Sequence, residues 1–232
     1  MNKGNFCTFI YMVNNILVWV ILFCTYFAIC WFVLKRFGVT LVSKPVVFVS
    51  VSSLFIALTL SLFNEELFPV VGNWEFLFTL FLISLVLWGL ALLLYPLYRS
   101  NIQDEPEENL NCMKFKKTFI LNKYFEIVYQ QLMLYVLFIF VSDWFEYSIL
   151  TGIVFSLIFG GVHIPLIINF SSKKVSLVYI LSSFIFGFIY PYLISNNKNW
   201  ILATFSFHYL FYILLVPMAY IIGNKEKKKS LS

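Results

Sequence analysis

The chain has 232 residues, 61% of them hydrophobic and only 12% charged, with a mean hydropathy of +0.89. A soluble domain is about half apolar with about a quarter of its residues charged. This composition excludes a water-soluble fold and points to an all-α, polytopic membrane protein forming one compact transmembrane domain.

Crossing the hydrocarbon core takes about 20 apolar residues in a helix. Seven runs approach or exceed that length, at 9–34, 46–63, 76–98, 118–141, 146–169, 174–195 and 199–222. The first is too long for a removable signal peptide and has no small-residue cleavage site, so it is expected to remain as a span. The third, FLFTLFLISLVLWGLALLLYPLY, carries no charge, whereas the fourth contains Lys123, Glu126, Gln130 and Gln131. The 28 Phe and 14 Tyr are expected to supply lipid-facing bulk and interfacial anchors.

Basic residues then orient these spans. With seven crossings, one side of the membrane holds Lys3 and Lys198 only. The other holds Lys35, Arg36, Lys44, Arg99, Lys114, Lys116, Lys117, Lys173, Lys174, Lys225, Lys227, Lys228 and Lys229. Cytoplasmic loops carry the excess of Lys and Arg, so the N-terminus is expected outside and the NKEKKKSLS tail in the cytoplasm, in a cell membrane. This placement accounts for the net charge of +5 without invoking nucleic acid; the lipid bilayer is the expected partner.

Four segments follow: three helices over 1–98, a cytoplasmic linker over 99–117, four helices over 118–222 and a basic tail over 223–232. The linker is acidic and Pro-containing in its first half and ends in KFKK, an anchor for cytoplasmic headgroups. Cys7, Cys24, Cys30 and Cys112 fit no metal or redox spacing, and no disulfide framework is expected.

Polar side chains within spans are expensive unless they meet partners or line a cavity. The candidates are Asn14, Asn15, Asn122, Glu126, Gln130, Gln131, His163, Asn169 and His208, and His163 and His208 are the only histidines in the chain. Each taken singly reads as a helix-to-helix hydrogen bonder. Together, those of the last four spans fall at comparable depth, from the midplane to the cytoplasmic half, which predicts a shared polar pocket. Glu126 and Gln130 stand one turn apart on one helix face, as do Gln131 and Tyr135, Phe159 and His163, and His208 and Tyr212. In FGGVHIP, Gly160 and Gly161 permit close helix approach, and Pro165 frees a backbone carbonyl.

The sequences QQLMLY, FGGVH and HYLFY, in that order on successive helices, resemble the motif positions of the CPBP family of intramembrane proteases. That family includes type II CAAX prenyl endopeptidases, bacteriocin-processing proteins and Abi proteins, and the likeness covers about residues 118–222. Its pattern is Glu-Glu-x-x-x-Arg, then Phe-x-x-x-His, then His-x-x-x-Asn. The resemblance implies a membrane endopeptidase acting near the cytoplasmic face on a membrane-embedded or lipidated peptide. It places Gln130, Gln131 and Tyr135 at the first motif, His163 at the second, and His208 and Tyr212 at the third.

The departures have a chemical consequence. The family's first Glu and first His are thought to activate water, and an amide at position 130 has no basic site for that at neutral pH. Hydrolysis is therefore expected to be impaired or lost, unless Glu126, one turn away, serves as a displaced base. The competing role for Glu126 is a pair with Lys123. A zinc ion would find His163 and His208 but no third ligand, fewer than hydrolytic zinc sites use. The alternative to an enzyme is a binding protein on the same scaffold: a pseudoprotease, chaperone or immunity factor. A small transporter component is a third class, although the chain shows no duplicated halves.

Overall fold

The computed structural model describes residues 3–33, 36–38, 44–102, 117–145, 149–167, 173–196 and 200–215. Every secondary-structure element among them is helical. In chain order these are α1 (Lys3–Ala28, continued by π-helical turns over Ile29–Val33), α2 (Pro45–Leu62), α3 (Asn64–Val71) and α4 (Trp74–Ile102). After them come α5 (Lys117–Phe145), α6 (Ile149–Ile167), α7 (Lys173–Asn196) and α8 (Trp200–Leu210, continued by π-helical turns over Phe211–Leu215). Asn122, Asn169 and the basic tail lie outside the described side chains.

Three helices contain segments long and apolar enough to cross a bilayer: Trp74–Pro96, Lys123–Ser142 and Ser176–Asn196. The bent pair α2 and α3 would make a fourth. Val13–Ala28, Ile149–Ile164 and Trp200–Leu214 are shorter apolar helical stretches. Apart from α3, these stretches coincide with the runs expected from sequence to within two residues or lie inside them.

Several boundaries differ from the sequence expectation, α5 for example running on to Phe145, and two of them change the architecture. The stretch 64–75, expected as a loop, is helical over Asn64–Val71, bent 105° from α2. A short side-chain cluster of Leu67 and Val70, both buried, repays its ordering. α4 also continues to Ile102, into the stretch expected as linker, because nothing before Pro106 prevents helical hydrogen bonding there.

Burial runs opposite to hydropathy among the long helices. Trp74–Pro96 has a mean hydropathy of 2.6 and is 17% buried, whereas Lys123–Ser142 has 1.6 and is 78% buried. In water the more apolar helix would be the inner one. Here α4 turns Leu82, Leu85, Val86, Leu92 and Leu93 outward, as a lipid solvent allows, and the polar helix α5 is shielded at the centre.

α5 packs against α1, α2, α3, α4, α6 and α8. The Trp19 Nε1–H of α1 donates to the Met133 carbonyl at 2.7 Å, and the Tyr129 hydroxyl donates to the Leu22 carbonyl at 3.2 Å. The first helices thus surround α5 on one side, and α6 to α8 complete its enclosure.

α6 and α7 form the closest helix pair. A methyl placed on Gly160 would meet the Phe184 ring at 2.6 Å, and one on Gly187 would meet the Ser156 Cα at 2.9 Å. Gly152 approaches the Phe188 carbonyl in the same way. Gly152, Ser156 and Gly160 recur every fourth residue, the small-residue spacing that lets membrane helices approach closely. Gly161, by contrast, faces open space, so only one member of the Gly pair supports the contact.

Candidate functional site

Four elements bring their polar residues to the N-terminal half of α5. Lys123, Glu126, Gln130 and Gln131 come from α5, His163 from α6, Tyr179 from α7, and Thr204, His208 and Tyr212 from α8 and its π-helical continuation. All are buried. Glu126 Oε1 accepts from Lys123 Nζ at 2.7 Å and from Gln130 Nε2 at 3.0 Å. A carboxylate only accepts, so the Gln130 amide nitrogen must face Glu126 and its carbonyl must point away. That carbonyl is buried with no hydrogen-bond partner among the described residues.

The spacing explains this row. Residues three and four apart lie on one helix face, so Lys123 and Gln130 flank Glu126 from both sides. Lys123 Nζ also stands 4.3 Å from the centre of the Tyr212 ring, where the ring face attracts a cation. Glu126 therefore takes part in the pairing with Lys123 rather than standing free as a base.

Gln131, one residue on, turns toward α8. Its Nε2 lies 2.9 Å from His208 Nδ1, and Thr204 Oγ1 lies 3.0 Å from its Oε1. The Tyr190 hydroxyl of α7 reaches the backbone carbonyl of the same residue at 3.4 Å. The Gln131 amide donates to Nδ1, which leaves the His208 proton on Nε2. His163 is fixed the other way: its Nδ1–H donates to the Phe159 carbonyl at 2.5 Å, so its Nε2 carries the lone pair. The two imidazoles thus present one acceptor and one donor.

Aromatic rings hold both histidines. The Phe159 ring lies 4.5 Å from His163 and 6.0 Å from His208, centre to centre. Phe186 approaches His208 at 5.9 Å, Tyr212 approaches it at 5.6 Å, and Tyr179 stands 5.5 Å from His163. The Tyr179 and Tyr212 hydroxyls are hydrogen-bonded to each other. Tyr179, Tyr212, His208, His163 and Phe159 therefore form one continuous group linking α6, α7 and α8.

The residues expected from sequence fall into place unevenly. Glu126 with Gln130, Gln131 with His208, and His208 with Tyr212 are in contact. Tyr135 is buried but packs against Phe138 at 6.4 Å in the apolar part of α5; the ring contacts described for the histidines are with Phe159, Phe186, Tyr179 and Tyr212. Asn14 is exposed and Asn15 half-buried. Tyr179 and Thr204 were not anticipated. The signal was present, since a hydroxyl inside a span seeks a partner, but with 14 Tyr and several other Thr in the chain, residue type alone does not single these two out.

Chemically, the group can donate and accept hydrogen bonds around neutral partners. Among the described residues, no three His, Cys, Asp or Glu side chains gather to hold a metal ion. His163 and His208 offer at most two of the three protein ligands a hydrolytic zinc uses, so the residues present do not fit such a centre. Compared with known protein families, curated protein sequences and solved structures, the chain matches none of them.

Proposed function

We propose that the chain is a seven-span, CPBP-like membrane protein with its N-terminus outside, which binds a membrane-embedded or lipidated peptide near the cytoplasmic face without efficient hydrolysis. One observation carries this reading: residues far apart in sequence, at all three motif positions, belong to one buried polar group that has amides where a protease of that family has carboxylates. Gln131 holds His208 and Thr204, a positioning role an amide fills well. No amide can take the proton that water must lose. The acceptor on His163 and the donor on His208 complement the N–H and C=O of a peptide group, which favours retention over cleavage.

Binding and cleavage of a fluorescent prenylated peptide by the full chain in lipid nanodiscs test the proposal. Saturable binding without turnover, lost on His208→Leu, supports it. Turnover by the unaltered chain would replace it with an enzyme, and absence of binding would remove both readings. Activity appearing only with Gln130→Glu and Gln131→Glu together marks a protease that has lost its base.

A membrane endopeptidase using Glu126 is the second reading, favoured by the hydrogen bond between Glu126 and Gln130. Lys123 opposes it, because its ammonium occupies the Glu126 carboxylate at 2.7 Å. Turnover unchanged by Glu126→Gln rules that role out.

A further inference from the structure

The elbow between α2 and α4 has two unlike faces. Phe63, Leu67 and Val70 are buried, to 1%, 1% and 3% exposure, and the Phe63 ring meets Phe140 of α5 at 5.9 Å. The other face exposes Phe68 and Trp74, to 72% and 76%. The missing side chain of Gly72 leaves room for the Phe68 ring over the turn: a methyl on Gly72 would stand 2.7 Å from the Phe68 carbonyl oxygen and 2.9 Å from its ring. The Asn73 side chain then accepts from the Glu75 backbone N–H at 2.9 Å, which starts α4 at once. Both ends of the elbow are thereby fixed.

What covers the outer face follows from its surroundings. Leu58 and Leu62 at the end of α2, and Leu77, Phe78 and Phe81 at the start of α4, are exposed apolar side chains on either side of it. These two helices face acyl chains, and the aromatic face of α3 continues their surface. Yet Glu65 and Glu75 are exposed as well, Glu66 partly so, and no Lys or Arg occurs between Lys44 and Arg99. Among the described residues no ion pair is made by these three carboxylates, which need water or headgroup ammonium groups, so the segment cannot sink into hydrocarbon. Aromatic rings with one apolar side and one wet side settle at the headgroup level.

We propose that α3 lies parallel to the membrane at the end of the bundle opposite Lys44, with Phe68 and Trp74 inserted at the boundary of headgroups and acyl chains of a zwitterionic lipid surface. This inference depends on the chain spanning a bilayer and is independent of any peptide-binding role. The test uses the full chain in phosphatidylcholine nanodiscs containing lipids brominated either near the glycerol end or near the methyl end of the acyl chain. The Trp74 contribution is the difference in fluorescence quenching between the unaltered chain and Trp74→Phe. Stronger quenching by the shallow bromine is expected, with most of it lost on Phe68→Ser. Phe68→Trp combined with Trp74→Phe should give the same shallow ranking, which guards against a local effect at position 74. Absence of quenching at either depth would place the elbow in water, and stronger quenching by the deep bromine would make α3 a re-entrant helix; either result overturns the proposal.

Discussion

Lys123 Nζ and Glu126 Oε1 are 2.7 Å apart, and both side chains are buried within the least apolar of the three helices long and apolar enough to cross a bilayer. Neither charge would be tolerated at that depth alone. Removing one partner of a buried pair leaves an uncompensated charge and costs about 3–5 kcal/mol, whereas replacing both by apolar groups of similar volume is often neutral. Lys123→Met is therefore expected to destabilise the protein by about that amount, and Lys123→Met with Glu126→Leu to recover most of it. Thermal unfolding of the three proteins in one detergent checks this; a double variant no better than the single would show that the pair is not the source of the loss.

Gln130 stands where a second carboxylate would face Glu126 across one turn. Like charges at that spacing repel, and Lys123 balances only one of them. Gln130→Glu is expected to destabilise, and Gln130→Glu with Glu126→Gln, which moves the acid without adding one, to be milder. Unfolding midpoints for the single and the exchanged variant decide the matter; equal losses would locate the cost elsewhere, at the carbonyl of Gln130.

The bridge from Gln131 to His208 joins α5 to α8. Interhelical hydrogen bonds in membranes couple by about 0.6 kcal/mol on average, up to about 1.7 kcal/mol. A double-mutant cycle of Gln131→Leu and His208→Phe is expected to give a coupling of about 0.5–2 kcal/mol. Additive losses would mean the two side chains contribute independently.

Gly160 and Gly161 separate by environment although adjacent. Gly160→Ala places a methyl against the Phe184 ring and is expected to cost about 1–3 kcal/mol by overpacking. Gly161→Ala enters open space and should stay within about 0.5 kcal/mol of the parent. The same unfolding assay on both variants tests the assignment of the α6–α7 contact, and matching losses would refute it.

These contrasts show what could be read from sequence and what could not. Hydropathy located the helices, and periodicity placed Glu126, Gln130 and Lys123 on one face, because both are local properties of a single helix. The elbow after Leu62 was hidden: neither Pro nor Gly stands at Phe63 or Asn64, and the bend follows from burying Leu67 and Val70 in a core formed by distant helices. Tyr179 and Thr204 were missed for a similar reason. Their roles depend on which partner lies across an interface, and no pattern along α7 or α8 specifies that. Gly161 looked equivalent to Gly160 until the direction of each Cα toward α7 was fixed.

The central place of α5 bears on the order in which the fold can assemble. A chain made from its N-terminus produces α5, with a lysine, a glutamate and two glutamines aboard, ahead of several of their partners. By then α1 to α4 have been made, and α6 to α8 have not. Trp19 and Leu22, which later contact Met133 and Tyr129, are already available to receive it, while His208 and Tyr212 arrive last. The partners of α5 thus divide into those that precede it in the chain and those that follow it, and the hydrogen bond between Gln131 and His208 can form only once α8 has been made.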